Sequence, residues 1–405
     1  MRSYSIYYIL LLCFSLLIID SLAFYWLQSI TVQIGNEQIR NTINIIYWLF
    51  TFGLITSILV LKIRIDKIHP VRKQILISSL YGLTILSFIP KLIFVIVTSF
   101  FHFGNMVFSD KESVILISLL GLFAGFLPFF VIIYAIFKAV YRFKIHHVKV
   151  KCDLLPKDLS GLRIVQISDI HLGSFNYRYS ILERAISYIN HLKPDFIFFT
   201  GDLVNNFAWE TKGWTEVFKK MEAHYGKYAV LGNHDYGDYS DWESDDLKLK
   251  NFESIKYFFK KTGFKLLLNE SRIVTIKNNP MAIIGVENWG NPPFKQHGDL
   301  KKAMKGTDNI PFKVLLSHDP SHWTEEVVNK TDIALTLSGH THGMQAGVNF
   351  KNKQWSPIQY KYKHWAGLHK EGRQYLYVNR GLGWLGFPGR LGMRPEITLL
   401  EMIRE

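Results

Sequence analysis

Five short motifs place side chains suited to metal binding and proton transfer directly after apolar stretches. In chain order they are Asp169-Ile170-His171, Gly201-Asp202, Gly232-Asn233-His234-Asp235, His318 and Gly339-His340-Thr341-His342. Open α/β sheets bind their ligands at the carboxyl ends of buried strands, which is where these motifs would lie. A polar turn explains the Gly232–Asp235 motif alone equally well, a satisfied surface pair is the commoner explanation of Asp169 and His171, and a buried, hydrogen-bonded imidazole is the usual explanation of His318. The prediction of one shared site therefore depends on all five motifs occurring together.

The residue types in these motifs favour divalent metal ions. Cys13 and Cys152 are the only cysteines and lie far apart in sequence, which excludes a CxxC metal site and a disulfide framework. Carboxylate, imidazole and amide groups bind borderline divalent ions, and one carboxylate can bridge two of them. We assign one ion to Asp169, His171, Asp202 and His342, and a second to Asp202, Asn233, His318 and His340. Asp202 is therefore the predicted bridge.

Two such ions suit phosphoryl chemistry. Ions about 3.5–4 Å apart generate hydroxide near neutral pH and hold the attacking and leaving oxygens of an in-line displacement. His234 is not needed as a ligand, so we expect it to protonate the leaving oxygen or to stabilise charge on the phosphoryl group. Water attacks directly in this scheme, and no nucleophilic side chain is required.

The elements that must position these motifs follow an α/β pattern after Lys151, because short apolar strands alternate with amphipathic helices. Strands are predicted at Leu162–Ile167, Phe196–Phe199, Tyr228–Leu231, Met281–Val286, Lys313–Leu316 and Ile333–Leu337. Helices are predicted at Ser180–Leu192, Thr215–Tyr225 and Glu253–Lys261, and a hairpin at Lys265–Leu268 with Ile273–Ile276.

The first part of the chain predicts four transmembrane helices. The runs are Ile6–Leu27, Ile43–Leu61, Ile75–Val97 and Val114–Phe137, and each approaches or exceeds the roughly 20 residues that a bilayer needs. A cleaved signal peptide would explain only the first run, and no small-residue cleavage site follows it. Buried helices of a soluble protein are the other alternative. We therefore predict a transmembrane region at residues 1–150 and a catalytic domain at residues 151–405.

Basic residues predict the orientation of these helices. The chain has a net charge of +14, of which residues 1–150 carry +8. The second connection and the segment after the fourth span are rich in Lys and Arg, whereas the other two connections hold only Arg40 and Lys111. The positive-inside rule then places both termini and the catalytic domain in the cytoplasm, at the inner (cell) membrane. Basic residues bordering apolar runs favour a phospholipid membrane as partner and disfavour nucleic acid.

Two charges, Asp20 and Lys91, lie inside the predicted spans. Both fall about seven residues from the outer ends of antiparallel helices, so a structural ion pair is the prediction, with a functional role as the alternative.

Two irregular stretches follow the metal-binding motifs. Residues 343–372 interleave aromatic side chains, among them Trp355, Tyr360 and Trp365, with lysines such as Lys351, which suits contact with a membrane interface or an ordinary surface loop. Residues 377–394 form a glycine-rich tail with three arginines, namely Arg380, Arg390 and Arg394. A tight loop of this kind would present guanidinium groups to phosphate or leave them in solvent.

The five motifs together resemble the signature of the calcineurin-like metallophosphoesterases over residues 160–400. The resemblance implies a four-layer αββα sandwich, a dinuclear Mn, Fe, Zn or Mg centre, and the ligand roles assigned above. The tail is similar to a bacterial membrane-associated branch that includes phosphodiesterases and lipid A-pathway UDP-2,3-diacylglucosamine pyrophosphohydrolases. The chain has Asn205 where that branch often has Asp, and Gly343-Met344-Gln345 where it has Gly-Gly-Gln. Asp235 and Asn205 are the candidates for orienting His234.

The leading hypothesis is therefore a membrane-anchored phosphoesterase that cleaves a phosphoester or pyrophosphate bond of a lipid-linked substrate. A tethered phosphodiesterase for soluble nucleotides or nucleic acid is the second. A non-catalytic membrane scaffold is the third, and it would predict a lost metal ligand, whereas the sequence retains all seven.

Overall fold

The computed structural model describes residues 5–108, 113–176, 178–350 and 353–405, without the side chain of Lys353. Lys111 and Lys351, named above, lie outside the described residues. The chain divides into two compact units. One contains the N-terminal helices and the short segment Gly386–Gly389, and the other contains Ala139–Leu385 and Arg390–Glu405.

The N-terminal unit consists of four long helices: α1 (Ile6–Thr31), α2 (Glu37–Arg64), α3 (Pro70–Phe108) and α4 (Val114–Phe137). All four are long and apolar enough to cross a membrane, which confirms the four predicted spans. The Asn36 side chain accepts hydrogen bonds from the backbone N–H groups of Gln38 and Ile39, a cap that begins α2. Large apolar side chains on all four helices are exposed, as expected for a lipid-facing surface.

Asp20 and Lys91 form an ion pair within this unit, with Lys91 Nζ 2.9 Å from Asp20 Oδ1. The Thr51 hydroxyl donates a hydrogen bond to the other carboxylate oxygen. Lys91 Nζ also lies 4.8 Å from the centre of the Tyr47 ring. Each charge is therefore compensated by groups of neighbouring helices, which is the arrangement expected of intramembrane charges.

We predict that Asp20→Ala lowers the melting temperature of the detergent-solubilised protein, because it leaves Lys91 unpaired at a cost of about 2.5–3.5 kcal/mol on insertion scales. Exchanging the two residues, with Lys at 20 and Asp at 91, should recover part of the loss, because interacting residues give non-additive changes. Melting curves of both single variants and the exchange provide the test. Strictly additive losses would contradict an energetic pair, and a large loss of activity per folded molecule in Asp20→Ala would assign Asp20 a functional role.

The second unit contains two six-stranded sheets. The first sheet has the order β1-β14-β2-β3-β4-β5 and is formed by Lys144–Cys152, Glu396–Arg404, Arg163–Ile167, Phe196–Thr200, Gly226–Val230 and Phe264–Leu266. The second has the order β12-β13-β9-β8-β7-β6 and is formed by Gly367–Glu371, Gln374–Val378, Leu335–Ser338, Phe312–Leu316, Asn279–Gly285 and Glu270–Ile276. Strands β2, β3 and β4 run parallel to one another, as do β8 and β9, so their carboxyl ends lie at a common edge of each sheet.

The two sheets pack face to face, with helices on both outer faces. Phe198 of the first sheet and Val314 of the second belong to one core between the sheets. Helices α5 (Tyr179–His191), α6 (Thr215–Lys219) and α7 (Asp245–Lys261) share a core with the outer face of the first sheet. Helix α8 (Leu300–Ala303) and the helical turn Trp323–Val327 cover the second. This is the predicted four-layer αββα sandwich.

Several elements differ from the sequence prediction. The expected hairpin does not form, because β5 joins the edge of the first sheet while β6 pairs with β7 in the second. The helix expected at Thr215–Tyr225 ends at Lys219. The compact unit begins before residue 150, since β1 pairs along its whole length with β14. The stretch expected to be irregular contains β12 and a two-stranded hairpin of β10 (Val348–Phe350) and β11 (Lys353–Trp355).

Candidate metal centre

All seven predicted ligands lie just after the carboxyl ends of strands. Asp169 and His171 follow β2, Asp202 follows β3, and Asn233 follows β4 in the first sheet; His318 follows β8, and His340 and His342 follow β9 in the second. Parallel pairing aligns these ends within each sheet, and face-to-face packing brings the two edges together. The fold therefore assembles residues that are as much as 173 positions apart in sequence.

One group consists of Asp169, His171 and His342, whose ligand atoms lie within 4.8 Å of one another. His342 Nε2 is 3.3 Å from Asp169 Oδ1 and 3.1 Å from His171 Nε2. Asp169 and His171 have no exposed surface. Two imidazole nitrogens and a carboxylate oxygen thus converge on one small buried volume, as they would around a divalent cation.

A second group consists of Asn233, His318 and His340. His340 Nδ1 lies 2.9 Å from Asn233 Oδ1 and 3.2 Å from His318 Nε2. The donors are two imidazoles and an amide oxygen, which again suit a borderline divalent ion.

Asp202 lies between the two groups. Its Oδ2 atom is 3.6 Å from His171 Nε2 and 3.4 Å from His318 Nε2, so one oxygen faces both groups. Its Oδ1 atom accepts a hydrogen bond of 2.9 Å from the backbone N–H of His234. The carboxylate is almost fully buried and is held in place by the residue that follows Asn233.

The backbone is strained at this centre. Five of the seven residues have positive φ angles, a region that few residues other than glycine adopt; they are Asp169, His171, Asp202, His340 and His342. Such conformations cost of order 1–3 kcal/mol each and persist only where the surrounding fold enforces them. Strain concentrated at the ends of three strands, β2, β3 and β9, is therefore a signature of a functional site.

Two glycines of the motifs are required by close approach. A Cβ atom at Gly339 would stand 2.3 Å from Asp169 Oδ2, and one at Gly232 would stand 2.2 Å from Asp202 Oδ1. Any other residue would displace the carboxylates, which explains why a glycine precedes both His340 and Asn233.

The pKa values of the buried groups reflect a competition between burial and the charges of neighbouring groups. Burial lowers the pKa of His171 to about 3, so its imidazole is neutral and has a free lone pair. Against the effect of burial, the charge of His342 lowers the pKa of Asp169 to about 2. Burial is likewise outweighed at His318, where the Asp202 carboxylate raises the pKa to about 10. Asp169 and Asp202 are negatively charged carboxylates, and their negative charge is not fully balanced by Lys or Arg side chains. Divalent cations would balance it, so the donor set is consistent with the metals that the sequence predicts.

Hydrogen bonds on the far side of the rings fix their orientation. His318 Nδ1–H donates to the Thr200 carbonyl at 2.7 Å, which turns Nε2 toward Asp202. His340 Nε2 lies 2.8 Å from the Tyr362 hydroxyl, which leaves Nδ1 toward Asn233. Such outer partners set the tautomer of a metal-binding histidine.

His234 is oriented by a main-chain group. Its Nδ1–H donates to the Asn205 carbonyl at 2.7 Å, so Nε2 is available to a substrate. The Asn205 side chain takes no part in this bond. The Asp235 carboxylate instead accepts backbone hydrogen bonds from Asp202 and from Leu203, and it stabilises the loop after β3. Of the two predicted orienting residues, Asn205 acts through its backbone.

The structure gives the three tail arginines partners within the protein. Arg380 and Arg390 are 3% and 1% exposed, and Arg380 forms an ion pair with the buried Glu396. Arg390 donates to backbone carbonyls such as that of Gly383 and approaches His342 Nδ1 at 3.5 Å. Arg394 donates to two carbonyls of residues 142 and 143. Arg380 and Arg390 are therefore buried supports of the loop, whereas Arg394 is exposed and bonds to the backbone at residues 142 and 143.

We predict that Arg380→Ala lowers the free energy of unfolding by about 3–5 kcal/mol, because removing one member of a buried pair leaves the other charge uncompensated. The Arg380 charge, against the effect of burial, lowers the pKa of Glu396 to about 2, so the lost partner is a carboxylate at neutral pH. Denaturant unfolding measures the loss. Arg373→Ala, which breaks an exposed pair with Asp153, is the control and should cost at most about 1 kcal/mol. Unchanged stability with a raised KM would instead make Arg380 a substrate ligand.

Sequence reasoning missed three supporting residues. Asp319 and Tyr362 face His340, with Asp319 Oδ2 3.5 Å from its Nε2 atom. The buried Glu210 accepts N–H groups of Asn205 and its neighbours, which shapes the loop that orients His234. Asp319 directly follows His318 in the sequence, and this adjacency was the one signal from which a supporting role of Asp319 could have been predicted.

Comparison with known proteins gives two family matches that follow one another along the chain. Residues 162–344 match the model described as calcineurin-like phosphoesterase, and residues 2–140 match the model described as probable calcineurin-like phosphoesterase, transmembrane domain. The two matches correspond to the two units of the structure and cover all five motifs.

Three similar proteins illustrate the range of relatives. The uncharacterized metallophosphoesterase YkuE of Bacillus subtilis is 30% identical over 62% of this chain and 83% of its own length. The transmembrane protein with metallophosphoesterase domain of Danio rerio is 30% identical over 66% of this chain and 59% of its own length. The phosphodiesterase YaeI of Escherichia coli is 28% identical over 60% of this chain and 82% of its own length.

Proposed function

From the premise that this chain belongs to the calcineurin-like phosphoesterases and carries their four-helix transmembrane domain, we propose that it is a two-metal hydrolase. We propose further that its substrates are lipid-linked phosphoesters or pyrophosphates and that it acts at the cytoplasmic membrane face. Hydrolysis of phosphoesters and multi-pass membrane association follow from the family. The number of metals, the lipid-linked substrate and the cytoplasmic face are the proposal.

The observation that carries the two-metal assignment is the position of Asp202. One of its oxygens lies 3.6 Å from a nitrogen of the first ligand group and 3.4 Å from a nitrogen of the second. A carboxylate that faces two separate sets of imidazoles is the arrangement needed to bridge two cations.

We assign Asp169, His171, Asp202 and His342 to one cation and Asp202, Asn233, His318 and His340 to the other. Two bound dications would supply a hydroxide near neutral pH and would offset the charge of the phosphoryl oxygens. The chain's own contribution is to bury these ligands and to fix them by outer hydrogen bonds, such as that from His318 to the Thr200 carbonyl.

His234 is the proposed proton donor. Burial lowers its pKa in the free enzyme, so its ring is neutral and Nδ1 carries the proton donated to Asn205. An anionic phosphoryl group next to Nε2 would favour protonation there, because an opposite charge stabilises the imidazolium. The imidazolium would then protonate the leaving oxygen as its bond to phosphorus breaks.

The membrane anchor supports a substrate held in lipid. Four spanning helices confine the catalytic unit to a membrane surface, where a lipid-linked phosphate is concentrated. The excess of Lys and Arg in the second connection and after α4 supports a cytoplasmic position for that unit.

The experiment is hydrolysis by the full-length protein in lipid nanodiscs, with and without added Mn. The substrates are phospholipids, nucleotide-diphosphate lipids, soluble nucleotides and a generic aryl phosphodiester. We expect metal-dependent hydrolysis that is fastest for a membrane-embedded substrate. Faster hydrolysis of soluble nucleotides, unaffected by lipid, would favour the tethered phosphodiesterase, and activity that survives complete metal removal would contradict the two-metal centre.

A further inference from the structure

The hairpin β10–β11 has its apolar and polar faces reversed relative to an ordinary surface hairpin. Val348 pairs with Trp355 across the two strands, and Phe350 lies on the same face because side chains two positions apart on a strand share a side. These three side chains are 58%, 45% and 68% exposed. A soluble hairpin of this size would turn such a face toward the core.

The opposite face of the hairpin bonds to the domain. Asn349 Nδ2 donates to the Gly392 carbonyl at 3.0 Å, and the Gln354 side chain accepts from Arg380. The polar side chains therefore fix the hairpin to the protein, while the apolar side chains lie on its other face and are exposed. An outward apolar face held rigidly by polar anchors is suited to an apolar partner rather than to water.

The base of the hairpin lies close to the segment that emerges from the membrane-spanning helices. Ala346 forms bridge contacts with Leu391 and Gly392. Two residues later, Arg394 donates to the carbonyls of Arg142 and Phe143, each at 2.9 Å. Those residues follow the end of α4 at Phe137 by only five and six positions. The hairpin is therefore attached to the segment of the catalytic unit that follows α4 directly along the chain.

We propose that this hairpin inserts its apolar face into the lipid–water interface of the bilayer in which the chain's own helices lie. Aromatic residues favour that interface, where one part of the ring is apolar and the other wet. Tyr360, Lys361 and Lys363 follow the hairpin and are exposed, which provides a further aromatic ring and two positive charges for anionic headgroups. The inference concerns how the catalytic unit contacts lipid, and it holds whichever phosphoester is cleaved.

The test uses depth-dependent quenching in the full-length protein. Cys13 and Cys152 are both buried and are replaced by Ser and Ala, after which Phe350→Cys carries an environment-sensitive fluorophore. The matched control is Tyr257→Cys on α7, another aromatic position, which is 55% exposed. The proteins are placed in nanodiscs that contain anionic lipid, with or without a lipid spin-labelled near the headgroup.

We expect the emission maximum of the fluorophore at position 350 to shift to shorter wavelength in the nanodisc. Its emission intensity should fall by more than half when the spin-labelled lipid is present, while the emission of the fluorophore at position 257 changes little. Val348→Cys provides a second position on the same face if Phe350→Cys does not fold, and hydrolysis of a generic diester verifies that each labelled protein is intact. Absence of quenching at both hairpin positions would overturn the proposal, and it is the result expected if the apolar face binds a soluble protein instead. Equal quenching at position 257 would also overturn it.

Discussion

Asp202→Asn is expected to abolish turnover and to lower metal occupancy at both sites. The substitution replaces a carboxylate oxygen that faces His171 on one side and His318 on the other with an amide of no net charge. Charge repulsion between two dications is then no longer offset between them. Loss of an outer hydrogen-bonding partner already costs about 10–100-fold in metal affinity, so loss of a shared ligand should cost more.

Metal content by elemental analysis and hydrolysis rates on the purified full-length variant measure this effect. Asp238→Asn is the control, because Asp238 is a nearby aspartate that pairs with Lys248 and Lys295 away from the metal centre. The control should retain both activity and metal. If Asp202→Asn kept two tightly bound ions and full activity, the bridge would have to be abandoned, whereas normal occupancy of one site alone would show that Asp202 serves a single ion.

The clustering of the five motifs could be predicted because their signal is local. Each of these side chains follows an apolar strand. The parallel pairing of β2, β3 and β4 aligns their carboxyl ends, and this alignment does not depend on how the other strands of the sheet pair. The four membrane helices could be predicted for a similar reason, since about 20 apolar residues carry the information by themselves. The observed helix α4 and the fourth predicted span have the same bounds, Val114–Phe137.

The elements that escaped prediction depend on distant partners. Strand β14 comes last in the chain, yet it pairs with β1 on one side and β2 on the other. No periodicity within Glu396–Arg404 indicates those neighbours. The same holds for β6, which is separated from β5 by three residues but pairs in the other sheet. Strand pairing is a long-range property, so short apolar runs reveal that a strand exists but not which sheet it joins.

The roles of the tail arginines could not be read from their sequence for a related reason. A glycine-rich loop with Arg380 and Arg390 suggests exposed cations, and only the fold shows that Glu396 is buried against Arg380. A guanidinium group in a loop is available to a ligand only if its N–H groups do not already donate to a buried carboxylate or carbonyl group. The loop is therefore a support for the centre, through the approach of Arg390 to His342.

His234→Asn is expected to lower turnover by about 10²–10⁴ while metal content stays near two per chain. The His234 imidazole is not assigned to an ion, although it packs edge-on against the His171 ring with 5.1 Å between the ring centres. Its Nδ1 donates to the Asn205 carbonyl, and its backbone N–H, which the variant keeps, donates to Asp202. Asparagine preserves a polar side chain of smaller size but has no group that can transfer a proton near neutral pH. The loss should therefore fall on the chemical step.

Asn205→Ala separates this role from general damage to the loop. The variant removes the Asn205 side chain but keeps the carbonyl that orients His234, so turnover should stay within about tenfold of the wild type if orientation is a main-chain effect. Substrates with better leaving groups sharpen the test, because a leaving oxygen that needs no proton should lose much of its dependence on His234. Loss of both ions in His234→Asn would make this residue a ligand, and an equal loss of rate for good and poor leaving groups would show that it stabilises phosphoryl charge instead of donating a proton.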